Sequence, residues 1–366
     1  MKFKNIDGTN KNKTMKKLLT ALLICIPQFI IATGLFENAS GTPRFIIISL
    51  AVMFLLMRPG SRPPVLLTIW TFIAVALLSS WFAADTWVAF AGFYEAPYYG
   101  IMPIVLVALA YFAGSRLSRP YEMLVATGGI LSAVAISQAV AGKSFLGFDL
   151  MQGRASGFRG SPVFFVMALI PCALAGLQEG RLFIFCLCIF GIFAAKSSGA
   201  MIALAAGLLI LRNSKLRWIV LVSLTMALWG YLLAGYEPER LELIKIACRA
   251  FMAHPWLGWG PDNFIFAFSQ HMTPEYIAAV GGSSLGQSSA HNDIAQVAAT
   301  MGLAGLAAYF WLAWSLVKAS INRPMALALL AAAWIQAQVN PIPTDVIVMF
   351  AAVIGYEHSR SEEDKT

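Results

Sequence analysis

Apolar runs recur along this chain about twelve times, most of them close to the ~20 helical residues needed to cross a bilayer core. They lie at 18–36, 44–57, 64–82, 100–115, 123–142, 161–178, 182–197, 199–211, 218–235, 292–317, 324–340 and 344–357. Lipid offers no partner to a bare peptide group, so a segment that crosses it is a helix bonded along its own length. Composition agrees. Hydrophobic residues make up 59% of the chain and charged residues only 12%, against about 25% charged in a water-soluble domain. The expected fold is all-α and polytopic, one membrane domain over 1–366.

The net charge of +8 points to orientation rather than to nucleic acid, because of where it sits. Lys2, Lys4, Lys11, Lys13, Lys16 and Lys17 stand against one acid, Asp7, in segment 1–17. Basic residues stay on the cytoplasmic side, so this N-terminus is expected inside. Alternating from there, the inside loops and tail, together with the six N-terminal lysines, collect 18 of the 26 Lys and Arg residues, and both termini are expected in the cytoplasm. The first apolar run lacks a clear small-x-small cleavage site and is expected to stay as a membrane helix. Cys25, Cys172, Cys186, Cys188 and Cys248 show no CxxC spacing, which argues against a disulfide framework or a zinc site.

Two outside loops break the charge rule. Loop 143–160 contains "GRASGFRGSP" with Arg154 and Arg159, and loop 236–291 contains Arg240, Lys245 and Arg249. The second is the longest polar segment and large enough for structure of its own. Its opening, "ERLELIKIACRAFMAHP", has apolar residues at the three-to-four spacing of an amphipathic helix that ends near Pro255. "LGWGPDNF" follows as a tight turn. Arginines held on one membrane face suit an anion, since the guanidinium fork matches phosphate.

The loop closes on "SSAHNDIAQVAATMGLAGL". Ser288 or Ser289 is expected to cap a helix beginning near His291. The positive end of that helix disfavours the protonated imidazole, and a neutral imidazole with a free lone pair is what a general base requires. Asp262 and Asp293 read as capping residues, with the orienting of a catalytic group as the alternative.

His291 and Asn292, nine residues, Gly302, two residues and Gly305 match the H-N-x9-G-x2-G pattern of bacterial O-antigen ligases. "HPWLGWGPDNF" resembles the segment before that histidine in the O-antigen ligase and polymerase superfamily. "RLELIKIACRAFMAHP" resembles the family helix that opens with arginine, here Arg240, and "GRASGFRGSP" its earlier loop, placing Arg154 on the other family arginine. The resemblance spans roughly 150–320. The chain departs from the pattern at Val163, Ser198 (where Lys196 is the nearest cation), Ile244 and Leu306.

The resemblance implies a GT-C-like membrane glycosyltransferase of the bacterial inner membrane, with loop 236–291 in the periplasm. It implies transfer of a glycan from undecaprenyl diphosphate to an acceptor hydroxyl, with inversion and without metal or other cofactor. The acceptor is lipid A–core for a ligase or a growing glycan for a polymerase. His291, Arg240 and Arg154 are then the catalytic set. Arg159, Arg249, Lys196, Asn292, Trp256, Trp259, Gly258 and Gly260 are candidates for substrate contact, the tryptophans offering faces to sugar or prenyl groups. A lipid-linked oligosaccharide transporter is the competing class, but it calls for mid-membrane charge and internal repeats, and neither is evident.

Overall fold

The computed structural model describes residues 6–29, 41–61, 64–93, 99–143, 150–151, 153–159, 161–212, 238–281 and 286–363. Its helices are α1 Ile6–Ile24, α2 Gly41–Leu56, α3 Leu66–Trp81, α4 Thr86–Ala91, α5 Ile101–Ala113, α6 Pro120–Ala141, α7 Pro162–Gln178 and α8 Leu182–Ala194. They continue as α9 Ser198–Arg212, α10 Pro238–Ala253, α11 Phe264–His271, α12 Pro274–Ala279, α13 Asp293–Ser320, α14 Pro324–Ala337 and α15 Thr344–Glu363. No strand forms among the described residues; Met151 and Arg154 make an isolated bridge.

The chain is an all-α polytopic membrane protein. Helices α6 and α13 are long and apolar enough to cross a bilayer, and shorter apolar helices occupy α2, α3, α5, α7, α8, α9 and α14. Large side chains left uncovered lie on one face at helical spacing, as Phe183, Phe190 and Phe193 do on α8 and Leu303, Phe310 and Trp314 on α13. In water such faces would be a liability; against lipid tails they are at rest. The expected crossing at 218–235, and Tyr94, Glu95 and Tyr98 in the loop before α5, lie outside the described residues.

Two compact units interleave along the chain, one of 1–63, 109–201 and 345–366, the other of 64–108 and 202–344. In the first, α6, α7 and α8 pack on one another and α1 packs on α2 and α6. Gly128 of α6 lies against Cys172 and Cys188, so a small residue lets these helices close. In the second unit, α13 packs on α3 and α10, and α10 also carries α11 and α12.

The polar loop of the second unit has a core of its own. Leu243, Ile246, Ala247 and Ala250 of α10 bury together with Trp259, Phe264, Phe268, Tyr276 and Ala299. Burying each large side chain stabilises by about 1.5–3 kcal/mol, enough in sum to order a segment that lipid does not hold. Helix α10 ends at Ala253, near the expected stop, but its buried face also holds Glu242. That carboxylate accepts from Lys245 Nζ at 2.6 Å and from Thr273 Oγ1 at 3.3 Å. Thr273 Oγ1 in turn caps α12 through Tyr276 N at 3.1 Å, so the one acid on this face ties two helices together.

Candidate functional site

The site in the second unit is organised by a break in α13. Gly302 has φ 64° and ψ −158° inside the helix, a conformation glycine adopts without penalty. The break frees carbonyls before it and amides after it, and each is taken by the turn that follows α10. Leu303 N donates to Pro255 O at 2.8 Å and Ala304 N to Trp256 O at 3.2 Å. In return Trp259 N donates to Ala299 O at 3.1 Å and Gly260 N to Thr300 O at 2.8 Å. Ser79 Oγ of α3 completes the join, 2.5 Å from Leu257 O and 3.1 Å from Thr300 O. Irregular backbone within a membrane helix persists where protein satisfies it in this way.

This join explains the composition of "HPWLGWGPDNF". Gly258 has φ 68°, and a Cβ there would collide with the Thr300–Met301 backbone, while one at Gly302 would collide with Trp256 and Leu257. Gly260 stands similarly against Ala83. The close approach that Gly258 and Gly260 permit here is by the protein's own chain. Trp259 is likewise engaged within the protein. Its indole N–H donates to Ala250 O at 3.0 Å, and His254 and His271 stack edge-on against it at 4.6 and 5.7 Å between centroids. It is a core residue. Trp256 is 72% exposed and keeps a free face.

The start of α13 also differs from expectation. Its cap is Asn292, whose side chain accepts from Ala295 N at 2.9 Å, rather than a serine. Asn292 Nδ2 donates to Gln338 O at 3.1 Å. With both ends engaged and the residue 1% exposed, Asn292 is a joint between α13 and the segment after α14. Asp293 does not cap; it accepts from Tyr99 Oη at 2.6 Å and Tyr309 Oη at 2.8 Å. Asp262 does not cap either. It is buried, with φ 56°, and accepts from Phe93 N at 2.8 Å. Asn263 holds the same 83–93 segment, its side chain pairing with Asp85 N at 2.7 Å and Asp85 O at 3.1 Å.

His291, immediately before this cap, has φ 51°, a left-handed conformation uncommon for a side chain of its size. Its amide donates to Ser289 Oγ at 3.1 Å. Its Nδ1 lies 3.4 Å from Asn340 Oδ1, the atom that also receives Arg240 Nη2 at 3.3 Å. Arg240 Nη1 donates to the adjacent Val339 carbonyl. The structure therefore brings His291 and Arg240 together around Asn340, a residue sequence reasoning did not single out. Burial pushes the His291 imidazole down to about 4, the Arg240 charge acts in the same direction, and the Asn340 contact opposes. Burial, rather than the helix terminus, is the first cause of this lowering.

Arg249 does not join this group. Nine residues from Arg240 on a 3.6-residue helix is about half a rotation away, and its side chain is exposed.

In the first unit, Arg154 Nε donates to Ala195 O at 2.8 Å, and Ala155 N donates to Ala194 O at 3.1 Å. These bonds set loop 153–159 beside the backbone leading to Lys196, an exposed residue with φ 49°. Arg159 is an ion-pair residue. Its guanidinium pairs with both oxygens of Asp345 and with Gln28, and its side chain is 2% exposed. Arg44 lies 3.7 Å from the same carboxylate. Among the described residues no three His, Cys, Asp or Glu side chains group as a metal site.

Residues 183–310 match the family model described as O-antigen ligase. The matched stretch takes in Lys196, Arg240, His291, Gly302 and Gly305; Arg154 and Asn340 lie beyond its ends. No curated protein matches the chain.

Proposed function

We propose, from the likeness of residues 183–310 to the O-antigen ligase family model, that this chain is an inverting, metal-independent glycosyltransferase of the bacterial inner membrane. The donor is a glycan on undecaprenyl diphosphate, the acceptor a hydroxyl of lipid A–core, and the site faces the periplasm with both termini cytoplasmic. The observation that carries this reading is the meeting of His291 and Arg240 at the side-chain oxygen of Asn340, just before the apolar helix α13.

The chemistry asks for little else. The acceptor hydroxyl is a weak nucleophile, and His291 takes its proton as the oxygen attacks the sugar's anomeric carbon. The bond from that carbon to the diphosphate oxygen breaks on the opposite face, giving inversion. Diphosphate leaves as an anion and needs cations held in place more than a proton donor. Arg240 is held by Val339 and Asn340. The sequence resemblance gives Arg154 the second such role, with Lys196 as the nearest cation along the chain to where the family carries arginine. The H-N-x9-G-x2-G match favours the ligase over the polymerase.

Glycolipid profiles from a deletion strain test the reading. Bare core with polymer left on its carrier is the result expected; single repeat units on core indicate a polymerase, and glycan transfer undiminished by the deletion overturns both. With purified protein, EDTA leaves the rate of transfer unchanged, and loss on chelation contradicts the metal-independent step.

A further inference from the structure

We infer that Asn340 is a positioning residue: its side-chain oxygen, fixed by Arg240, holds His291 as the Nδ1-protonated tautomer and leaves Nε2 with the lone pair that accepts the proton. The inference rests on the reading of His291 as a base and extends it.

The chemistry of the donors decides the case. A guanidinium has N–H donors and no acceptor, so the amide atom 3.3 Å from Arg240 Nη2 is the oxygen. That same oxygen faces His291 Nδ1 at 3.4 Å. A bare Nδ1 there would set lone pair against lone pair, whereas an Nδ1–H donates. In a neutral imidazole the second nitrogen is then the acceptor.

The oxygen is also held still. Arg240 grips Val339, Asn292 grips Gln338 at 3.1 Å, and Asn340 N closes onto Gln336 O at 3.0 Å. Residues 338–340 are thus clamped from α10 and from the cap of α13, and Asn340 is 6% exposed. The charged group facing His291 from α10 is Arg240. On α13 the neighbouring Asp293 is engaged by Tyr99 and Tyr309, and 338–340 carries none.

The test uses the full chain in lipid nanodiscs, labelled with 15N-histidine, with the His291→Gln spectrum subtracted to isolate the His291 signals. At neutral pH the wild type shows a protonated Nδ1 and a bare Nε2. Asn340→Leu populates the other tautomer and lowers kcat by about ten- to a hundredfold, within the range general-base catalysis contributes, with little change in KM for the lipid-linked donor. Asn340→Asp restores an acceptor, recovers most of the rate, and moves the acid limb of the rate profile to higher pH, because a carboxylate favours the imidazolium. Nε2 protonated in the wild type, or an unchanged tautomer in Asn340→Leu, overturns the inference. Should Asn340→Leu fail to fold, the same decision falls on Asn340→Asp: an acid limb that does not move overturns the inference. Full transfer by His291→Gln is a different failure, that of the base itself.

Discussion

Replacing His291 with asparagine lowers glycan transfer by about a hundred- to ten-thousandfold, the range a positioned general base supplies, and leaves membrane insertion intact. Asparagine is the informative substitution because it tolerates the left-handed backbone that residue 291 adopts at φ 51°. Alanine lacks the tolerance of that backbone that histidine and asparagine share, so it would mix backbone strain with the loss of proton transfer. Arg240→Lys is expected to fall nearly as far as Arg240→Ala. Lysine keeps the charge but loses the planar fork that reaches Val339 and Asn340 at once. Both are measured with purified protein, a labelled lipid-linked donor and an acceptor; transfer at the wild-type rate by His291→Asn removes the mechanism.

The second large effect is on folding. Gly258→Val and Gly302→Val each force a β-branched residue into a positive φ, at about 1–3 kcal/mol, and drive its Cβ into opposing backbone, at roughly another 1–3 kcal/mol. Each is expected to unclip the turn after α10 from the break in α13. Gly281 supplies the control. Its φ is 64°, but nothing lies within 4 Å of a Cβ built there. Thermal unfolding of Gly281→Val therefore reports backbone strain alone, and the other two variants unfold at distinctly lower temperature. Three equal midpoints would show that the turn and the helix break are not joined as described.

The helical membrane architecture was legible because lipid imposes it. Run length follows from hydrocarbon thickness and the needs of the peptide group, and does not depend on which helix packs on which. The candidate base was legible for a related reason, since His291 stands at a recognisable helix start. What the sequence hid was partnership across the fold. Asn292, Gly258 and Arg159 have the residue types of a binding site, yet each meets a neighbour distant in the chain. Arg159, for example, pairs with Asp345, 186 residues on. The caps were misread because Asn292, one residue past His291, fits the helix start better than Ser288 or Ser289. Asn340 escaped notice for the opposite reason. It sits in "AQVNPIP", which has no motif, 49 residues from the histidine it faces.

The pH dependence of kcat/KM for transfer by the wild-type protein tests the central claim most directly, since it reports the base in the free enzyme. Protonation of His291 removes the lone pair, so activity is present above its pKa and lost below it. With that pKa near 4 rather than 6.5, the profile stays flat on acidification from about pH 8 to about pH 5 and falls only beneath that. An acid limb centred near 6.5, the ordinary histidine value, would contradict a base held neutral by burial and by Arg240.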